Sequence, residues 1–272
     1  MILFPNCKIN LGLHILRKRN DGFHDLETVF YPLPLQDALE IIHHPSPATD
    51  IAYSGSGLTV EGNLSDNICV KAYHLLKQDF PQLPPVKMHL HKTIPMGAGL
   101  GGGSADGAFT LLLLNKKFNL GISQEDLLCY ALQLGSDCPF FIRNTPCYAT
   151  GRGEVMEELS LDLSAYKFAV INPGIHVNTG WAFSQITPSG NKPSLKNIIQ
   201  RPVQEWKEGL GNDFEEPVSR QFPEIGSIKI TLYQQGAVYA AMTGSGSTVF
   251  GIFPKTTDPE LAFPGHYFVK IV

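Results

Sequence analysis

The chain has 272 residues, enough for one large or two medium domains, and its 43% hydrophobic and 17% charged residues are those of an ordinary soluble globular protein. A formal net charge of −4 offers no general attraction to nucleic acid or anionic membrane, so any anion site must be built locally. Five scattered cysteines without a C-x-x-C pair fit the reduced thiols of a cytoplasmic protein better than disulfides or a zinc site.

Pro5 and Lys8 interrupt the apolar run that a signal peptide would need, and no segment reads as a membrane span. "KINLGLHIL" (8–16) alternates: Ile9, Leu11, Leu13 and Ile15 on one face, Lys8, Asn10, Gly12 and His14 on the other. That pattern predicts a half-buried strand. Asn-Asp-Gly at 20–22 signals a turn, and 26–41 reads as a returning strand interrupted by Pro32 and Pro34. A helix is expected over 65–80, capped by Ser65 or Asp66 and stopped before Pro81. "VKMHLHKTIP" (86–95) is a strand with Val86, Met88 and Leu90 on one face. His89 and His91 share its other face; with no third ligand evident, they read as exposed strand positions, as do the adjacent His43 and His44.

The strand leads into "GAGLGGGSADGA" (97–108), with five glycines in the first seven positions. Ser104 is the expected N-cap of a buried helix with Lys116 and Lys117 in its last turn and Gly121 as its stop. A second helix follows over 123–135, and 137–153 reads as strands. From about residue 159 the pattern restarts: a strand at 167–174, a polar proline-containing stretch, helices around 214–222 and 224–235, then strand, Gly/Ser turn and strand over 237–253. The whole predicts an α+β protein of two domains, 1–157 and 158–272.

Gly97, Gly99 and Gly102 satisfy G-x-G-x-x-G, but a dinucleotide fold also needs an acidic residue about 20 positions on, ending a second parallel strand. That position falls in a loop and helix start. No Gly-Lys-Ser/Thr closes the loop either, which excludes the Walker pattern. What remains is strand, glycine loop and helix: backbone N–H groups can converge there without side-chain obstruction, and the helix adds its positive end, as a polyphosphate site requires.

The longer string P-M-G-A-G-L-G-G-G-S-A (95–105) resembles the nucleotide loop of the GHMP kinases, the superfamily of galactokinase, homoserine kinase and mevalonate kinase. "KINLGLHIL", "DGFHDLETVF", "LGSDCPFF", "NPGIHVNT", "NDFE" and "TGSGSTVFG" follow the same family order, so the resemblance spans nearly the whole chain. It implies an N-terminal domain like ribosomal protein S5 and a C-terminal ferredoxin-like α/β sandwich. It implies ATP as co-substrate with Mg²⁺, held by Pro95, Met96, Gly97, Ala98, Gly99, Leu100, Gly101, Gly102, Gly103, Ser104 and Ala105.

It also puts the catalytic lysine at Lys8, where pattern alone favours a solvated strand face, and the catalytic aspartate at Asp137, which otherwise reads as a turn residue. Lys8 would stabilise phosphoryl charge; Asp137 would orient the acceptor hydroxyl and take its proton. Within the superfamily the resemblance is strongest to the branch whose small-molecule acceptor carries a cytidine diphosphate group. There Phe23 and Phe183 would stack on cytosine, His24 would hydrogen-bond it, and Asn10 and Thr179 would contact the substrate. The family often has tyrosine where this chain has Phe23, so any hydroxyl contact is lost. "TGSGS" is expected to pack behind the site. The resemblance assigns no Mg²⁺ ligands, and the chain is expected to be a cytoplasmic monomer or weak homodimer binding neither nucleic acid nor membrane. Two alternatives stay open: a GHMP kinase acting on mevalonate or homoserine, and a nucleotide-binding regulator without catalysis.

Overall fold

A computed structural model describes residues 1–45, 49–60 and 62–272. In chain order its regular elements are β1 (Ile2–Leu3), β2 (Asn6–Lys18), β3 (His24–Gln36), β4 (Ala38–His43), β5 (Ile51–Gly57), α1 (Ile68–Asp79), β6 (Val86–Lys92), α2 (Gly102–Phe118), α3 (Gln124–Leu134) and α4 (Cys138–Arg143). There follow β7 (Cys147–Thr150), β8 (Val155–Glu158), β9 (Tyr166–Asn172), α5 (Thr179–Ser184), α6 (Leu195–Ile198), α7 (Glu215–Gln221), α8 (Pro223–Gln234), β10 (Tyr239–Met242), β11 (Val249–Pro254) and β12 (Phe268–Ile271). The mixture is α+β.

The chain forms two compact units, each discontinuous: Met1–Cys7 with Pro34–Met96 and Gly101–Asn144, and Lys8–Leu33 with Gly97–Leu100 and Thr145–Val272. This division differs from a single cut at 157. The first unit is a sheet of order β1-β4-β6-β5 with four helices. β5 and β6 are parallel neighbours, which requires a crossover, and α1 supplies it. α2 packs against α1, α3 and α4, and its apolar run explains why: Ala108, Leu111, Leu113 and Leu114 are all buried. Gly107 lets α1 and α2 approach closely; a Cβ there would lie 2.7 Å from Ile68.

The second unit carries two sheets, β2-β3-β7-β8 and β10-β11-β9-β12. Its core gathers Leu13 and Ile15 of β2, Ala169 and Ile171 of β9, Phe214, and Ile225, Ile228 and Leu232 of α8. Asn212 ties this core together. Its Nδ2 donates to the carbonyls of Met242 and Gly244, each at 2.8 Å, while its Oδ1 accepts from Phe214 N at 3.0 Å.

Several sequence expectations change. Both faces of β2 are buried, not one; Lys8 is only 3% exposed, so the solvated-face reading fails. The polar face is buried because its groups find partners: Lys8 Nζ bonds Asn10 Oδ1 at 2.7 Å, and His14 Nδ1 meets Glu27 Oε1 at 3.1 Å. Pro32 and Pro34 do not interrupt β3, because its ladder with β7 covers only Thr28–Phe30 and the prolines lie beyond it. α1 is capped by Asn67, whose Oδ1 accepts from Cys69 N at 2.9 Å, rather than by Ser65 or Asp66.

α2 starts three residues early. Gly101, at φ +69°, is its N-cap, so Ser104 lies inside the first turn. It ends at Asn119, left-handed at φ 50°, before Gly121. "CPFFIR" is a helix, not a strand: Pro139 sits in its first turn, and Asn144 closes it in the left-handed conformation.

Candidate functional site

The glycine loop leaves β6 through Thr93 and Ile94, whose backbone N–H groups both donate to Asp37 Oδ1, at 2.5 and 2.9 Å. Asp37 and Asp106 share the buried ammonium of Lys92; the Asp106 bond is 2.7 Å. Burial pushes Asp106 up to about 7, against the pull of Lys92 and with Asp37 adding to the rise. Burial acts to lower Lys92, but Asp106 and then Asp37 outweigh it and the ammonium is held above its ordinary range. Gly102 packs directly on this group: a Cβ there would lie 2.8 Å from Ile94 and 3.0 Å from Lys92 Nζ.

A cavity of about 460 Å³ opens in the first unit at the start of α2, within the range of small-ligand sites. Met96, Gly103 and Ser104 of the loop line it, together with Tyr53, Asn63, Asn67 and Asp106. Among the described residues, two of its polar atoms, Tyr53 Oη and Asp106 Oδ1, are buried without a hydrogen-bond partner. Buried orphans of this kind are costly unless a ligand or water completes them. Sequence reading missed this side of the cavity: Tyr53 reads as one more strand aromatic, and Asp106, two positions after Ser104, as a helix residue. Asp137, half-buried in the same unit, occupies the position before α4, between two helices rather than between a helix and a strand. Burial raises the thiols of Cys69 and Cys138 to about 12, so neither is a nucleophile at neutral pH.

In the second unit Lys8 sits 4.8 Å above the Phe30 ring, and Asn10 extends its bond to a network. Asn10 Nδ2 donates to Thr28 Oγ1 at 2.9 Å, and Asn10 N to Thr243 Oγ1 at 2.9 Å. The Thr243 hydroxyl also lies 3.0 Å from the Gly99 carbonyl. The first half of the glycine loop is fixed here as well: Lys8 N donates to Leu100 O at 2.9 Å and Thr248 N to Ala98 O at 3.3 Å. Gly99 has φ +78°, and a Cβ would fall 2.1 Å from the Thr243 carbonyl. No other residue fits. The Gly/Ser turn between β10 and β11 therefore packs behind Asn10 and the first half of the loop through Thr243, and Thr28 joins the network unforeseen.

The expected base-binding residues separate into two pairs. His24 stacks on Phe183 with centroids 4.7 Å apart, and Phe183 meets Phe214 edge-on at 4.9 Å. Phe23 is 52% exposed and carries the Arg152 guanidinium 4.7 Å from its centroid. Burial, and then Lys18, holds His24 below its ordinary range, so its imidazole is neutral at pH 7 and offers one donor and one acceptor. Thr179 Oγ1 lies 3.1 Å from Ser245 Oγ. His89 and His91 are occupied with the hydroxyls of Ser54 and Ser56 at 2.8–2.9 Å. Among the described residues no group of three or more His, Cys, Asp or Glu could hold a metal, and no helix is long and apolar enough to cross a membrane.

Family models for the GHMP kinases N terminal domain and the GHMP kinases C terminal match residues 67–144 and 194–263. The chain is 54% identical over 253 residues to a 4-diphosphocytidyl-2-C-methyl-D-erythritol kinase of Bacteroides fragilis, covering 93% of this chain and 92% of that protein. A crystal structure of 4-(cytidine 5'-diphospho)-2C-methyl-D-erythritol kinase superposes with a TM-score of 0.79 at 30% identity, covering 93% of this chain and 90% of that one. The Methanococcus jannaschii mevalonate kinase shares the fold, with a TM-score of 0.69 at 12% identity over 100% of this chain and 96% of its own.

Proposed function

The chain belongs to the 4-diphosphocytidyl-2-C-methyl-D-erythritol kinase family of the GHMP kinases, and from that premise we propose how its residues phosphorylate the 2-hydroxyl of that cytidylyl alcohol with ATP. The reaction breaks the bond between the γ-phosphorus and the β,γ-bridging oxygen of ATP, forms one from the acceptor oxygen to that phosphorus, and yields ADP and the 2-phosphate. The acceptor's proton has to leave as the new bond forms.

The observation that carries the assignment of the ATP site is the cavity at the head of α2. Its loop side, Gly103 and Ser104, belongs to a helix start whose leading N–H groups have no partner within the helix. Its lining also offers Tyr53 Oη and Asp106 Oδ1, which fit the amino group of a base or a ribose hydroxyl. ATP binds here with its phosphates along the residues 95–105. Mg²⁺ bound with the nucleotide would neutralise phosphate charge there.

Lys8, buried on β2 and held by Asn10, stabilises the charge on the transferring phosphoryl oxygens. Asp137 orients the acceptor hydroxyl and takes its proton. Phe23, His24 and Phe183 receive cytosine, with stacking from the phenyl rings and a hydrogen bond from the neutral imidazole. Asn10 and Thr179 contact the rest of the acceptor. The reaction serves isoprenoid precursor synthesis by the non-mevalonate route, in the cytoplasm.

The test is a coupled ADP-release assay with three acceptors: the cytidylyl methylerythritol, mevalonate and homoserine. Turnover with the first alone is expected. Turnover with mevalonate or homoserine at a comparable rate would overturn the acceptor assignment.

A further inference from the structure

The loop joining β7 to β8 is built around one carboxylate. Glu154 Oε2 accepts from Arg152 N at 2.5 Å, and Gly151, at φ +71°, has room for that carboxylate only because it lacks a Cβ, which would lie 2.8 Å from it. Leu26 N donates to Gly151 O at 2.8 Å, which docks the loop onto β3 three residues from Phe23. The guanidinium of Arg152 is thus set over one face of the Phe23 ring. Nearby Arg17 and Arg19 are already neutralised by Asp21 and Asp25. Arg152 differs: among the described residues its Nε has Glu154 at the longer distance of 3.8 Å, and its side chain is 33% exposed.

From this geometry we infer that Arg152 is a specificity-determining residue for the acceptor, recognising the anionic diphosphate next to the base that Phe23 receives. The inference rests on the reading of Phe23 as a base platform. A guanidinium stacked on a ring keeps its N–H donors at its edge, free to bond phosphate oxygens. A chain of net charge −4 gains from such a local cation when its acceptor is itself an anion. The same residue compensates for phenylalanine at position 23: the cation polarises the platform and supplies donors that a phenol would otherwise bring.

The experiment measures competitive inhibition of the full-length enzyme by two probes, cytidine and cytidine 5'-diphosphate, in Arg152→Met, Arg152→Lys and Phe23→Leu. Thermal melting confirms that each variant is folded. Arg152→Met keeps the apolar stem over Phe23 and removes the charge. Its inhibition constant for cytidine 5'-diphosphate should rise roughly tenfold at low salt, the effect of one charge-assisted hydrogen bond, while that for cytidine stays within about twofold. The difference should shrink in high salt, and Arg152→Lys should recover most of it. An equal rise for both probes would make Arg152 a mere support for the ring and overturn the inference, as would no rise for either. Phe23→Leu should weaken both probes. If it weakens neither, the platform reading fails, separately from the result for Arg152.

Discussion

Lys8 carries its ammonium inside a buried polar network on β2, bonded to Asn10 Oδ1 at 2.7 Å. Alternation on β2 sends it to solvent, yet it is buried against Phe30 and bonded to Asn10, because the second face of that strand is covered by a polar network that no single-strand pattern reveals. Asp137→Asn keeps the shape of the side chain and removes proton acceptance, so turnover should fall by about 10²–10⁴-fold with ATP affinity preserved. Retention of more than about a tenth of wild-type turnover, far above what loss of a general base allows, would sink its role as base. Lys8→Met should lose a similar factor, and the double variant should lose less than the product of the two if they act as a unit. Phe183→Ala should raise KM for the cytidylyl substrate and spare that for ATP, one stacking face being worth about 1–3 kcal/mol. Asp106 makes a pH-dependent prediction. Its acid is raised from 3.8 to about 7 by burial, so the stability it contributes is present at low pH and lost as pH rises through about 7. Asp106→Asn removes that loss: the melting temperature of the variant relative to wild type should be higher at pH 8 than at pH 5. A difference that does not change with pH would mean the buried acid does not titrate there.

At the scale of elements, the glycine loop was legible as a phosphate cradle from its composition, but its division of labour was not. Gly99 is required by the Thr243 carbonyl, a contact to a segment distant in sequence, and Gly102 by Ile94 and Lys92 of the preceding strand and its exit. Gly103 has room, with Met96 Cε 3.5 Å from where a Cβ would lie, and its φ is outside the left-handed region, unlike that of Gly97. Gly103→Ala should therefore fold normally and weaken ATP binding, read by nucleotide titration. Gly99→Ala should lower the melting temperature whether or not nucleotide is present. Unchanged ATP affinity in Gly103→Ala would place the phosphates elsewhere. The misread helix α4 has a similar lesson. A six-residue apolar run shows no period, and what decides its state is Pro139 in the first turn and the left-handed Asn144 at the end, signals that resemble ordinary loop punctuation. Ser104 was a sound cap by type, but the chain turns into the helix at Gly101 instead, because only a residue tolerant of positive φ can make that entry.

For the molecule as a whole, the α+β class was readable from the order of periodic segments and the family from its motifs, while the topology was not. Nothing in the alternation of β2 says that Lys8–Leu33 joins residues more than a hundred positions downstream. "NDFE" and "TGSGS" likewise looked like independent motifs; Asn212 binds them through the carbonyls of Met242 and Gly244. Asn212→Ala would leave both carbonyls unpaired and buried, at a cost of about 1–3 kcal/mol each if no water replaces the amide. It should lower the melting temperature and perturb turnover together, since the same turn supports Asn10 through Thr243.

The discontinuous threading of the second unit also bears on how the protein is made. A ribosome delivers β2 and β3 early, yet their neighbour β7 and, apart from Gly97–Leu100, the rest of that unit begin only at Thr145. At about 5–20 residues per second, Leu13 and Ile15 wait on the order of ten seconds outside the exit tunnel without the residues of β9 and α8 that bury them. A nascent chain stalled before residue 145 should therefore bind a holdase chaperone, and one stalled with the full sequence exposed should not.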